Sequence, residues 1–399
     1  MTIFEEGFAG VQLPALTELE LTSIRLDVNI DEKYRLPSTT RICKSCVMTN
    51  QRPRITFDSD GTCMACKYWK RKDTDINWKE REEEFRSILN RFRATDGSFD
   101  VIVPSSGGKD SSYVAYILKD KYDMHPLTVT WAPSIYTDIG YRNFQQHIHN
   151  GLDNVCFTPN GLVHRRLCRS AFIELGDPFQ PFIYGQVNSP LHAAKAFNIG
   201  LIIDGENGEA EYGGADSTEN MQGFSDDDSE SYWLSGLPVA SWLDQGYTEK
   251  EIQIYQPPTS ALKVRRLFFS YFHNWQPQSH YYYVSERAGF RSNSIRSEGT
   301  FSKYASLDDA IDPFHYYFGL LKFGIGRATS DAAHEIREGL IDRNEGISLV
   351  EKYDAEAPSP HSTNLFMRYA GLTKDQLTLI QQKWTNCRIW GDKYPQLRF

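Results

Sequence analysis

The sequence has no apolar run of about 18 residues, so no membrane-spanning helix is expected. It also lacks an excess of positive charge. Lys and Arg total 43 against 52 Asp and Glu, a net charge of -9. Phosphate neutralisation needs clustered Lys and Arg, so general nucleic-acid binding is not expected, while a local basic cleft for one anionic ligand stays open. The start, Met1-Thr2-Ile3-Phe4-Glu5-Glu6, lacks the basic segment of a signal peptide, and a cytoplasmic protein is expected. Internal repeats are absent. Cysteines are few and odd in number, seven, and four fall in two tight pairs. That pattern suits metal binding in a reducing compartment better than a disulfide framework.

What is present is ordinary globular composition. The 399 residues, 40% hydrophobic, suffice for a sizeable core and two or three domains. Residues 1–40 mix acids, prolines and scattered leucines and read as an N-terminal extension or packing arm. Residues 41–72 carry the cysteine pairs. Residues 73–98 form a linker, with Trp78, Phe85, Ile88, Leu89 and Phe92 at helical spacing. From Phe99 to about residue 260, apolar runs alternate with helical patterns. The runs are Phe99–Pro104, Leu127–Trp131, Asn154–Thr158 and Ile199–Asp204. The helical stretches lie near Asp110–Tyr122, up to His149, at Leu162–Leu175 and at 190–197. This alternation predicts an α/β fold, a parallel sheet with helices on both faces, whose ligands bind at the carboxyl ends of the strands. The Asp/Ser-rich stretch 216–231 reads as a mobile loop. Residues 261–399 are aromatic-rich and then largely helical, with a capping box at Thr373 and Gln376.

The first apolar run ends at Ser105 and leads into Ser106-Gly107-Gly108-Lys109-Asp110-Ser111, which opens a helix. Glycines let the backbone approach a phosphate, and a helix N-terminus favours negative charge. The hydroxyls of Ser106 and Ser111 can donate to phosphate oxygens, Lys109 can meet phosphate charge, and Asp110 can help hold magnesium. A Walker A loop would need glycine at Val103 and Ser or Thr at Asp110. The bland alternative is a tight Gly-Gly turn with a Ser/Asp helix cap. Strand, loop and helix together resemble instead the PP-loop of the ATP pyrophosphatases. That resemblance implies ATP and Mg2+ as cofactors, with β- and γ-phosphates held by the loop and leaving as pyrophosphate. Thr130, on the second strand, joins the expected nucleotide-binding set. Glu206 and Glu209, after the fourth strand, reach the same rim and are candidates to bind magnesium or orient an amine; a solvated acidic loop is the alternative.

Cys43-x2-Cys46 and Cys63-x2-Cys66, with 16 residues between the pairs, have the spacing of a closed four-cysteine Zn2+ site of structural role. Together these features resemble the N-acetyl sugar amidotransferases of bacterial surface-polysaccharide biosynthesis. The resemblance runs from about Arg41 to Pro358 and includes Arg296–Thr300, Ser302–Asp309 and Lys322–Thr329. It implies conversion of an acetamido group, on a nucleotide-linked or sialic-acid-like sugar, to an acetamidino group through O-adenylation. It also implies ammonia from a separate glutaminase and a synthase-like subunit. Thr2 at position 2, and the lack of a glycine-flanked elbow around Cys156, Cys168 and Cys387, agree with an external ammonia source. Arg296, Lys303, Tyr304, Asp308, Asp309, Lys322 and Arg327 are the expected sugar contacts, with the aromatic band as a wall. The competing readings are a zinc-ribbon tRNA thiolase, which needs further cysteines and a basic RNA surface, and a non-catalytic zinc-ribbon adaptor.

Overall fold

The computed structural model describes residues 2–224, 235–259 and 263–398. Its centre is a five-stranded sheet of order β3-β2-β1-β4-β5. The strands are β1 (Val101–Pro104), β2 (Pro126–Trp131), β3 (Asp153–Phe157), β4 (Leu201–Asp204) and β5 (Arg265–Phe268), all parallel. Side chains alternate between faces along each strand. Val101, Val103, Leu201 and Ile203 pack against Val114, Ala115 and Leu118 of the helix Lys109–Asp120, and against Phe85, Ile88 and Leu89 of the helix Trp78–Phe92. Ile102, Ile202, Leu127 and Val129 face the other way, onto Ala193 and Ala194 of the helix Gln180–Phe197. Both faces are covered, as a strand such as Val-Ile-Val requires.

β5 was not expected, and it carries the sheet past residue 260. Four residues reading Arg-Arg-Leu-Phe give little apolar signal, and the edge position needs little. The helix Gln180–Phe197 begins ten residues before the predicted 190. Pro181, Gly185 and Pro190 look like breakers. Yet a Cβ on Gly185 would fall 2.0 Å from the Trp131 ring, so this glycine lets the helix close on β2. Of the predicted loop 216–231, residues 225–231 lie outside the described residues. The rest is seated: Thr218 is buried, the Phe268 N–H donates to the Gln222 carbonyl at 2.8 Å, and Gly223 bridges to Leu267.

Residues 1–40 carry three short helices, Ile3–Ala9, Glu18–Ile24 and Ile30–Tyr34. Helices of five to seven residues are marginal alone, and only packing sustains them. Ile24 and Ile30 enter the C-terminal core, and Arg169 donates to Glu20 at 3.0 Å. That core joins Phe172 with Phe314, Phe318 and Phe366 from the helices Asp312–Phe323 and Pro360–Ala370. The expected capping box at Thr373 and Gln376 opens the helix Lys374–Lys383. Among the described residues no helix is long and apolar enough to cross a membrane.

Candidate active site

The sheet order reverses between β1 and β4, so the loops leaving their carboxyl ends diverge and open a crevice. On the β1 side is Ser105–Gly108. Gly107 has φ +83°, and a Cβ there would lie 2.6 Å from the Phe144 Cα. Its N–H donates to the Ser105 hydroxyl at 3.3 Å, and that hydroxyl donates to Ser111 at 3.0 Å. Gly108 caps the helix Lys109–Asp120 without a side-chain hydrogen bond, which leaves first-turn N–H groups turned to the crevice. The loop therefore fits an anion. Thr130 does not join it as expected. Its buried hydroxyl donates to the Ser105 carbonyl and accepts from Asn154 at 2.8 Å, so it fixes the loop from beneath.

Asp110 pairs with Lys109 and accepts a hydrogen bond from Nδ1 of His280 at 2.9 Å. Burial opposes ionisation of Asp110, but Lys109 and His280 outweigh it and hold the carboxyl well below its usual range. His280 is gripped by the stacked Tyr113 ring at 4.1 Å and the Trp275 edge at 4.3 Å. Across the crevice, Asp204 is clamped by Arg266 at 2.7 Å and 2.8 Å, so the turn at Glu206 starts from a fixed point. Burial and the Asp110 charge push Glu206 up to about 7. The ionised Asp110 lies close enough for its charge to raise Glu206, and two carboxyl groups so placed suit a shared divalent cation, so Asp110 and Glu206 are the residues that fit Mg2+.

Glu209 lies elsewhere than expected. It pairs with Arg54 of the cysteine-rich segment at 2.9 Å, which makes it an anchor rather than a partner of Glu206. Glu211 is bound the same way by Lys72 at 2.7 Å, with both side chains fully buried, and Arg337 donates to the Glu211 carbonyl at 2.8 Å. Arg52 donates to the Gly213 carbonyl at 2.6 Å. The cysteine-rich segment thus grips the acidic helix Gly208–Tyr212 from outside.

Cys43, Cys46, Cys63 and Cys66 have all four sulfurs within 4.8 Å of one another. Cys43–Cys66 and Cys46–Cys63 are 3.9 Å and 3.8 Å apart. A tetrahedron with metal–sulfur bonds of ~2.3 Å has edges of about 3.8 Å, so the donor set fits one ion. A cluster with a separate metal under each thiolate would hold the sulfurs farther apart. Backbone N–H groups of Ser45, Met48 and Cys63 donate to the sulfurs at 3.3–3.4 Å, which favours thiolates.

The C-terminal region closes the crevice. Asp308 accepts from the Ser106 hydroxyl, and burial raises its pKa. The Tyr304 ring stacks on Tyr281 at 4.6 Å and lies 5.7 Å from the Lys109 ammonium. Arg327 pairs with Asp331 at 3.0 Å and with the Tyr316 hydroxyl, and its charge reaches Tyr212, which also feels Glu206 and Asp110. Asp309 is buried and accepts backbone N–H bonds from Ser134, Ile135 and Ile311, so it stitches segments together. Arg296 is held by Glu356 at 2.7 Å and 2.8 Å, and Lys303 is exposed. Lys322 is a correction. It is buried in the C-terminal core, donates to the Leu175 carbonyl at 2.9 Å and is surrounded by Tyr34, Phe323 and Trp384. Most of the aromatic band is likewise core; Tyr304 and Tyr281 are its members at the crevice.

The crevice therefore joins Ser106 to Ser111, Glu206, Tyr304, Asp308 and, through Tyr212, Arg327. Arg54, Lys72 and His280 support it and carry no motif; each has a carboxylate partner more than a hundred residues away.

Residues 298–398 match the model of the LPS biosynthesis protein WbpG-like C-terminal domain. A stretch of 88 residues is 28% identical to the uncharacterized protein MJ1599 of Methanocaldococcus jannaschii, covering 22% of this chain and 31% of that protein. The chain thus spans about a third of that relative's length. A solved structure, the U34-tRNA thiolase NcsA from Methanococcus maripaludis with its [4Fe-4S] cluster, aligns over 85% of this chain and 98% of its own at 11% identity and a TM-score of 0.27. The WbpG-like match supports the resemblance to the sugar amidotransferases and a role in surface-polysaccharide biosynthesis.

Proposed function

We propose that the chain is an ATP-dependent amidotransferase that converts an acetamido group of a nucleotide-linked or sialic-acid-like sugar to an acetamidino group. The observation that carries the reading is the meeting of an open anion loop with Asp110, Glu206 and Asp308, the last from the region that matches the WbpG-like domain.

An amide carbonyl is a poor electrophile, and activation at oxygen gives it a leaving group. The acetamido oxygen attacks the α-phosphorus of ATP, the bond to the β-phosphate breaks, and pyrophosphate leaves. Ammonia then adds at the acetamido carbon, the bond from that carbon to oxygen breaks, and AMP departs with the oxygen. The surplus protons go to the surrounding carboxylates and water. The N–H groups at Gly108 to Asp110 and the Lys109 ammonium receive the β- and γ-phosphates. Mg2+ held by Asp110 and Glu206 would neutralise charge on the departing pyrophosphate. His280 keeps Asp110 ionised and aimed.

The four cysteines hold a single structural Zn2+ in this reading. Ammonia comes from a partner glutaminase through a synthase-like subunit, and the chemistry belongs to the cytoplasm. The thiolase alternative is disfavoured by the sulfur spacing, which suits one ion, and by the acidic lining of the crevice.

Mass spectrometry of acetamido sugars incubated with the chain, ATP-Mg2+ and ammonium tests the proposal. A product with O replaced by NH, formed together with AMP and pyrophosphate, is expected. ADP and phosphate as the main products would refute it.

A further inference from the structure

A cavity of about 340 Å3 opens beside the crevice. It is bounded by the turn after β2 (Ile135–Asp138), the segments 293–298 and 306–313, and two distant pieces, Thr2 with Glu5 and His361 with Leu365. It adjoins the phosphate loop through one residue step. Asp308 meets Ser106, and its neighbour Asp309 lines the cavity and bridges to Tyr136.

The lining has a definite chemistry. Glu5, Asp138, Glu298, Asp309 and Asp312 are acids, and the one guanidinium, Arg296, already makes two bonds to Glu356. Such walls offer a phosphate or carboxylate no guanidinium that is not already engaged. Several of these groups are engaged already, Glu298 by Ser359 and Ser362 and Asp309 by three backbone N–H groups, but the carboxyls of Asp138 and Asp312, with the Ser306 hydroxyl, suit the hydroxyl groups of a sugar. Ligand pockets span about 300–1,000 Å3, so this volume matches a single ring and not a whole nucleotide sugar.

The N-terminal extension is fastened at this place. Phe4 packs on Tyr136 at 5.7 Å and Tyr141 at 5.0 Å. Glu5 is only 5% exposed and lies 3.4 Å from His361 and 3.6 Å from Arg368. Arg165 and Arg169 donate to the carbonyls of Val11 and Pro14, both at 2.8 Å. A segment that only filled space would not need cations from the helix Gly161–Leu175 on its backbone carbonyls.

We infer that this cavity receives the uncharged, hydroxyl-rich ring of the acetamido sugar, and that the helix Ile3–Ala9 is a specificity-determining wall of it. The inference rests on the amidotransferase reading. Any nucleotide or carboxylate of the substrate then lies outside, toward the mouth.

The probe is the acetamido-sugar fraction that accumulates in producing cells lacking this chain, supplied with ATP-Mg2+ and ammonium to the full-length protein. Phe4→Ala and Glu5→Gln should raise the apparent KM for that fraction by on the order of tenfold, about 1.4 kcal/mol. ATP affinity and the melting midpoint should hold. N-acetylglucosamine should compete with the fraction, and N-cyclohexylacetamide, which lacks the ring hydroxyls, should not at equal concentration. An unchanged KM in both folded variants, or any other order of the two competitors, overturns the inference. Removal of residues 2–16 is the stronger version, and the point variants decide if it does not fold. If the unaltered chain forms no acetamidino product, the amidotransferase reading falls and takes this inference with it. If the unaltered chain works and both variants match it, only the wall assignment falls.

Discussion

Replacing Lys72 by Met should reveal how far the cysteine-rich segment supports the crevice. The Lys72 ammonium and the Glu211 carboxylate lie 2.7 Å apart with neither side chain exposed, and the ammonium also sits over the Trp69 ring at 4.2 Å. Removing one partner of such a pair leaves an uncompensated buried charge, which costs about 3–5 kcal/mol. Glu211 can escape only by taking up a proton, and burial already raises its pKa. Without Lys72 that pKa rises further. A carboxyl whose folded pKa exceeds its unfolded value loses stability as pH rises from the unfolded value toward the folded one. The loss should therefore be smaller at pH 5 than at pH 8. Urea unfolding at pH 5 and pH 8, with m-values compared to confirm the same transition, measures it. Lys72→Met/Glu211→Leu should recover most of the loss at pH 8, because neither charge is then stranded. A deficit below about 1 kcal/mol at pH 8, or a double variant no better than the single, would show that the pair does not hold the helix Gly208–Tyr212.

Gly107→Ala should weaken ATP binding at least tenfold, about 1.4 kcal/mol, since left-handed backbone alone costs a non-glycine residue ~1–2 kcal/mol and the new Cβ meets Phe144 backbone; isothermal titration with a non-hydrolysable ATP analogue measures it, and unaltered affinity would contradict the phosphate assignment. Elemental analysis should find one zinc per chain, and Cys46→Ser should lower metal content and melting temperature together; a variant that folds and keeps its metal yet loses activity would argue against a structural site. Glu206→Gln should raise the Mg2+ concentration needed for half-maximal ammonium-driven turnover, and an unchanged Mg2+ titration would contradict the shared-cation assignment.

The sheet was legible because buried parallel strands write themselves as apolar runs, and Val101-Ile102-Val103 with Leu201-Ile202-Ile203 are such runs. The loop was legible because its glycines are local requirements. Gly107 is needed for its own φ, whatever lies a hundred residues away. The cysteine quartet was legible for the same reason, since spacing within each pair sets the metal geometry. What sequence hid is pairing across distance. Glu209 looked catalytic because it follows β4, but Arg54 decides its role. Lys322 looked like a sugar contact because it sits in a family-like stretch, but the helix it occupies turns it into the core, onto the Leu175 carbonyl. Thr130 stands at the right end of β2, and its hydroxyl is spent on the loop backbone.

These pairings also bear on how separable the parts are. The WbpG-like stretch, residues 298–398, supplies Asp308 to the Ser105–Gly108 loop and Arg327 to the crevice. The same stretch supplies the floor on which the cysteine quartet sits, since Val47 and the four cysteines pack against Ile325, Ala332 and Ala333. Arg343 further donates to the carbonyls of Cys46 and Cys43 at 3.1 Å and 3.3 Å. The cysteine-rich segment in turn holds the acidic helix through Arg54 and Lys72. Chain order runs from cysteines to sheet to C-terminal helices, but the physical order is a ring. The C-terminal helices support the cysteine-rich segment, that segment fixes Glu209 and Glu211, and the acidic turn faces the loop that Asp308 touches. In a ring of buried contacts each member's loss is felt at the crevice, so metal removal should alter catalysis by moving the acidic turn, with no need for the metal to touch the substrate.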